Sequence, residues 1–149
     1  MPCSCPGVLH SYLSGMGVEL MANSDNVLRG GLTSKPVDVA SLLDIVHTVP
    51  ARPSIQRPDV VAGVALYDSP TAEFSLRRLE IDEQTQIEVE GPAVLLCVGG
   101  AVDAGPHTLD RGSAAWIPAS DPPIMLSGRG TVFRAGVGRL GSTLTDAEG

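Results

Sequence analysis

Six side chains able to hold a metal, move a proton or bind an anion fall within 26 positions: His10, Tyr12, Glu19, Asp25, Arg29 and Lys35. Lys35 is the sole lysine in the chain. An imidazole can ligate zinc or carry a proton near neutral pH, a carboxylate can act as a base, and Arg with Lys can hold a phosphate. Together the set suits an anionic substrate handled with metal assistance. The same residues also have a plainer reading, in which the histidine is a hydrogen-bonded structural group and the charged side chains are solvated. Other candidates stand apart from this stretch. Cys3 and Cys5 form a Cys-x-Cys pair ahead of His10 that is chemically able to bind zinc. His47 lies near a helix end and His107 near a turn. Cys97 in VLLCVGG is expected in the core, and Trp116, alternating with Ala114 and Pro118, is expected to pack.

The elements that would position the set follow from pattern. Residues 8–21, VLHSYLSGMGVELM, hold two short apolar runs parted by Ser-Gly-Met-Gly, which predicts two strands joined through a glycine turn. Residues 22–35 read as a polar loop, with Asn23, Ser24, Asp25 and Asn26 able to bond their own backbone. Asp38 is the expected N-cap of a helix over 39–49, where Val39, Leu42, Leu43 and Val46 share one face. That helix should stop before Pro50, at the start of a three-proline linker, PARPSIQRP. Beyond it, EFSLRRLEI, IEVE, AVLLCVGGAV, HTLDRGSAAWIPA and PIMLSGRGTVFRAGV are expected strands, separated by Gly-Pro, Gly-Gly, Arg-Gly and Gly-Arg-Gly turns. A bulge is expected at Arg77-Arg78, which interrupts the alternation. Seventeen glycines and 12 prolines, with one helical segment, make the chain mainly β. Regular short strands with turn signals indicate a sandwich or barrel, and RGSAAWIPA suits a jelly roll of the cupin type.

Composition narrows the function classes. The formal charge is −7 and no stretch gathers Lys and Arg, which argues against a nucleic-acid partner. No apolar run approaches the roughly 18 residues of a membrane span. The N-terminus lacks the pattern of a secretory signal and three cysteines cannot all pair, so a cytoplasmic location is expected.

The segment GVLHSYLSGMGVELMANSDNVLRGGLTSK resembles the most distinctive stretch of the class I mannose-6-phosphate isomerases. Their pattern runs close to LHAY, a Gly-rich turn, VE-MA-SDNV-R-GLT-K and a V-D-V helix start, and nearly every element of it stands here from Leu9 to Val39. GPAVLLCVGG, RGSAAWIPA and GTVFRA resemble the C-terminal jelly roll of the same enzymes. The resemblance implies zinc-assisted interconversion of mannose 6-phosphate and fructose 6-phosphate through an enediol. It makes His10 a metal ligand, places Tyr12, Glu19, Asp25 and Arg29 in the active site, and assigns Lys35 with Arg29 to the anionic substrate. Pro36 departs from the family pattern and restricts Lys35 to extended backbone. The family's Gln-x-His pair and remaining Glu ligand belong to an N-terminal region with no counterpart here, so His10 is one ligand of an incomplete zinc site.

The expected organisation is therefore fourfold. Residues 1–36 are the last strands and active-site loop of an incomplete catalytic cupin domain, and 37–58 are helix and linker. Residues 59–140 form a C-terminal jelly roll that binds no metal, and 141–149 a disordered tail. As a C-terminal fragment, whether a truncated product or a short gene model, the chain is expected to show negligible turnover unless the missing catalytic region is supplied. Two alternatives stay open: a non-catalytic cupin-like module that binds a sugar phosphate or a protein, and a strand-donating segment over residues 1–36 that completes a partner's sheet.

Overall fold

The architecture is that of a computed structural model, which describes residues 7–11, 13–21, 23, 27–49, 55–69 and 72–138. The chain divides into two compact units, Met1–Arg57 and Pro58–Gly149. No helix among the described residues is long and apolar enough to cross a membrane.

In the first unit the regular element is one short helix, α1 (Val39–Ile45). Asp38 caps it as its sequence position predicts: one carboxylate oxygen accepts from the Ser41 amide at 3.1 Å and the other from the Ser41 hydroxyl at 2.7 Å. These bonds favour the charged form and hold the carboxyl below its ordinary value. The helix is four residues shorter than the apolar spacing predicts. Val46 is extended, and the His47 amide donates to the Gly7 carbonyl at 2.8 Å instead of to the helix. The expected strand pair over 8–21 is not formed among the described residues. Alternating apolar side chains favour extended backbone, but a strand also needs a neighbour to complete its hydrogen bonds.

The second unit is an antiparallel sheet of six strands: β1 (Val64–Tyr67), β2 (Ser75–Ile87), β3 (Ala93–Ala104), β4 (His107–Asp110), β5 (Ala114–Ile117) and β6 (Ile124–Gly136). Their order is β1-β2-β6-β3-β4, and β5 pairs with the same edge of β3 that β4 uses further along. Two long strands replace shorter expected ones. EFSLRRLEI continues without a break to Ile87, so IEVE is not a separate strand, and Gly-Arg-Gly lies inside β6 instead of forming a turn.

Register explains which residues are buried. Leu79 and Ile81 of β2 face Val132 and Gly130 of β6, while Leu95 and Cys97 of β3 face Arg134 and Val132. The bulge expected at Arg77-Arg78 is absent, and β2 keeps one register along its whole length. A shift occurs instead in β3 between Cys97 and Gly99. It converts the buried positions from 93, 95 and 97 to 102 and 104, which keeps both halves of β3 facing the same core. Gly100, at φ +71°, permits this kink, since a Cβ there would collide with the Arg129 carbonyl. Cys97 is fully buried, as expected of a core cysteine. Trp116 is not a packing residue: it is 64% exposed on the opposite face.

One charged side chain breaks the apolar rule. Arg134 is only 4% exposed on the inner face beside Leu95. Its Nη1 lies 3.5 Å from Glu90 Oε2, the same oxygen that accepts from Arg77 Nη2 at 2.7 Å, and its Nε is buried without a partner. Two guanidinium groups thus share one carboxylate oxygen where the chain turns from β2 into β3.

Candidate functional site

The first unit carries the sequence-predicted site, and extended or bent backbone, not regular structure, presents it. His10 is exposed, and its Nδ1 lies 2.9 Å from the Val8 carbonyl oxygen. A carbonyl can only accept, so Nδ1 carries the hydrogen and the lone pair of the neutral ring is on Nε2. This is the arrangement in which an imidazole offers Nε2 to a metal or a proton. Glu19 is exposed and Arg29 is half-buried. Lys35 is exposed at the end of a run of bends over residues 31–35, with its amide donating to Thr33 Oγ1 at 3.1 Å. Gly31 at φ +137° and Leu32 at φ +51° turn the chain there. Tyr12 and Asp25 lie outside the described residues, as do Cys3 and Cys5.

Leu9 connects the segment bearing His10 with the segment bearing Arg29. A Cβ built on Gly30 would stand 2.6 Å from Leu9 Cδ2, so the Leu9 side chain rests directly over the Gly30 backbone. The absence of a side chain at Gly30 allows that approach. His10 and Arg29 are the sequence neighbours of this contact. Near the helix end, Gly7 is packed in the same way: a Cβ there would be 2.8 Å from the Ile45 carbonyl oxygen and 3.1 Å from the His47 ring.

A complete metal centre does not follow from these residues. Among the described residues, no group of three or more His, Cys, Asp or Glu side chains is placed to hold a metal ion. A zinc site needs about three protein ligands, and His10 is one donor. His47 and His107 are exposed, His107 at the start of β4 in the other unit.

Sequence reasoning missed the arginine pair on the inner face of the second unit. Arg77 and Arg134 face each other directly across β2 and β6. The only signal was that Arg134 falls in step with Val132, a core position, and a charged residue in that pattern is ordinarily read as the outward one.

No family model matches the chain. It is 35% identical over 133 residues to the mannose-6-phosphate isomerase of Escherichia coli (strain K12), covering 84% of this chain and 34% of that one. Over 135 residues it is 30% identical to the mannose-6-phosphate isomerase of Rattus norvegicus, covering 79% and 31%. Among solved structures it is similar to mannose 6-phosphate isomerase from Salmonella typhimurium bound to fructose 6-phosphate and zinc. There the TM-score is 0.67 at 29% identity, over 80% of this chain and 32% of that chain. The mainly β, cupin-like sheet agrees with that likeness. The chain spans about a third of the length of the relatives it matches.

Proposed function

Since this chain is homologous to the C-terminal part of the mannose-6-phosphate isomerases, we propose that it contributes one wall of a sugar-phosphate isomerase site. The substrates on this reading are mannose 6-phosphate and fructose 6-phosphate, and the chain is inactive by itself. The observation that carries the reading is the identity to the Escherichia coli enzyme over 84% of the chain, together with its restriction to a third of that enzyme.

The reaction moves a proton from C2 to C1 of the sugar through an enediol, and the roles follow from the chemistry each residue offers. Glu19, an exposed carboxylate, is the candidate for the proton transfer. Arg29 is half-buried, so its charge is less screened than a fully exposed one, and its planar set of donors suits a phosphate or a developing oxyanion. Lys35 adds a point charge for the phosphate. Tyr12 and Asp25, which lie outside the described residues, are assigned to the same site by their place in the motif alone. His10 Nε2 would supply one ligand to a zinc ion, and the described residues do not group the further ligands that such a site needs. Zinc, when bound in such enzymes, polarises substrate oxygens.

Fructose 6-phosphate titration by calorimetry tests this reading, with the chain alone and with the chain assembled with the preceding region of a relative. The expected result is binding by the assembly and at least tenfold weaker binding after Arg29→Ala. Unchanged binding by the Arg29→Ala assembly would overturn the assignment. Tight binding by the isolated chain without turnover would favour a non-catalytic sugar-phosphate module instead.

A further inference from the structure

The inner face of the second unit carries a charge that its own carboxylate does not balance. Leu66, Arg77, Arg134 and Leu95 form one row across β1, β2, β6 and β3. Neither flanking row on that face adds a charge: one holds Leu79 and Val132, the other Ser75, Gly136 and Ala93. Glu90 reaches both arginines through the single oxygen Oε2, at 2.7 Å from Arg77 Nη2 and 3.5 Å from Arg134 Nη1. Two guanidinium groups against one carboxylate leave one positive charge in excess, and a guanidinium cannot shed it by deprotonation.

The excess falls on Arg134. Its side chain keeps 5% exposure, against 27% for Arg77 and 30% for Glu90, and its contact with Glu90 is the longer of the two. That contact uses Nη1. The other edge of the planar group carries Nε and Nη2, whose N–H bonds run parallel, and Nε there is buried without a partner. Two parallel donors on one edge match the two oxygens of one carboxylate. The surroundings suit a short hydrocarbon body. Leu66 and Leu95 flank the arginines in their row. In the row of small residues beside them, a Cβ built on Gly136 would stand 3.5 Å from Ser75 Oγ and 3.7 Å from Ala93 Cβ, which are ordinary contact distances.

We propose that the Nε and Nη2 edge of Arg134 binds the carboxylate of a small aliphatic monocarboxylate. Arg77 and Glu90, the more exposed members of the cluster, stand at the mouth of this site, and Leu66 and Leu95 lie beside the hydrocarbon body. One negative charge on the ligand cancels the one in excess, whereas the second charge of a phosphate would be buried uncompensated. The site is built from the second unit and does not depend on the isomerase reading.

The test is a titration of the isotope-labelled full chain with sodium butyrate, sodium formate, inorganic phosphate and sodium chloride at matched ionic strength. It is followed through the Nε–H resonance of Arg134, assigned by its connection to the Arg134 backbone. The expected result is a saturable shift with butyrate, a weaker affinity for formate, which lacks the hydrocarbon body, and no saturable shift with chloride. Butyrate should also raise the melting temperature, as any ligand of the folded state does. By calorimetry, Arg134→Met should weaken butyrate binding about tenfold or more, while Trp116→Ser, on the opposite face, leaves it unchanged. Should Arg134→Met fail to fold, the resonance of the unmodified chain decides the matter. The proposal is overturned by an Nε–H resonance that stays in place or follows ionic strength alone, or by butyrate binding that Arg134→Met does not change. Phosphate binding more tightly than butyrate would overturn the assigned ligand class.

Discussion

Glu90→Gln should destabilise the sheet far more than its partly exposed position suggests. The carboxylate removed is shared: Arg77 Nη2 lies 2.7 Å and Arg134 Nη1 3.5 Å from Glu90 Oε2. Arg77 retains 27% side-chain exposure and can be solvated, but Arg134 retains 5% and already has an unpartnered Nε. Guanidinium groups do not deprotonate in proteins, so the variant leaves a buried cation without its counter-charge. Breaking a buried pair in this way costs about 3–5 kcal/mol. The long Arg134 contact and the 30% exposure of Glu90 place the loss near the lower figure, about 3 kcal/mol. For a folding unit of this size, where each kcal/mol shifts the midpoint by about 4–8 °C, melting should fall by at least ~10 °C. Removing both sides of the interaction behaves differently: Arg134→Met should cost less than about 1 kcal/mol or stabilise, because it deletes the buried charge itself. Circular dichroism melts and urea titrations of the two single variants and the double variant give the coupling. A Glu90→Gln loss below ~1 kcal/mol, or an Arg134→Met loss larger than that of Glu90→Gln, refutes the reasoning.

Gly100→Ala should lose about 2 kcal/mol or more of stability in urea titration, since the new Cβ meets the Arg129 carbonyl at a positive φ. Asp38→Ala should weaken α1, read as movement of the carbon chemical shifts of residues 39–45 toward non-helical values. The Asp38 carboxyl titrates below its ordinary value of 3.8 in the folded chain. Its support for the helix is therefore complete above that value and lost as pH falls through the lower folded value, and Asp38→Asn should abolish this dependence. Gly30→Ala should shift the Leu9 methyl resonances while leaving the melting of the sheet unchanged, because the added methyl displaces the tip of a flexible side chain.

What could be read from the sequence is what depends on local chemistry. Asp38 followed by Ser41 is a cap whose geometry needs no distant partner, and Cys97 falls in an apolar strand that any sheet would bury. The glycines of the second unit misled because their purpose is long-range. Gly128 and Gly130 resemble a turn, yet each lies where a Cβ would press on the backbone of β3, at Ala101 O and Gly99 O respectively. Arg134 could not be recognised as buried without Glu90, 44 residues away in sequence. Residues 8–21 have the pattern of strands, yet their described residues form none, because alternation of side chains does not by itself supply a neighbouring strand. The chemistry of His10, Glu19, Arg29 and Lys35 was suggestive as a set of residue types. It became a particular reaction only through the resemblance of the whole motif.

Isomerase turnover, followed as fructose 6-phosphate formed from mannose 6-phosphate in the presence of zinc, is the most direct test. The account predicts no activity from the isolated chain, activity from the chain assembled with the preceding region of a relative, and a fall of about 10²–10³-fold in kcat for the Arg29→Ala assembly. Turnover by the isolated chain, or an Arg29→Ala assembly as active as the unmodified one, would contradict it.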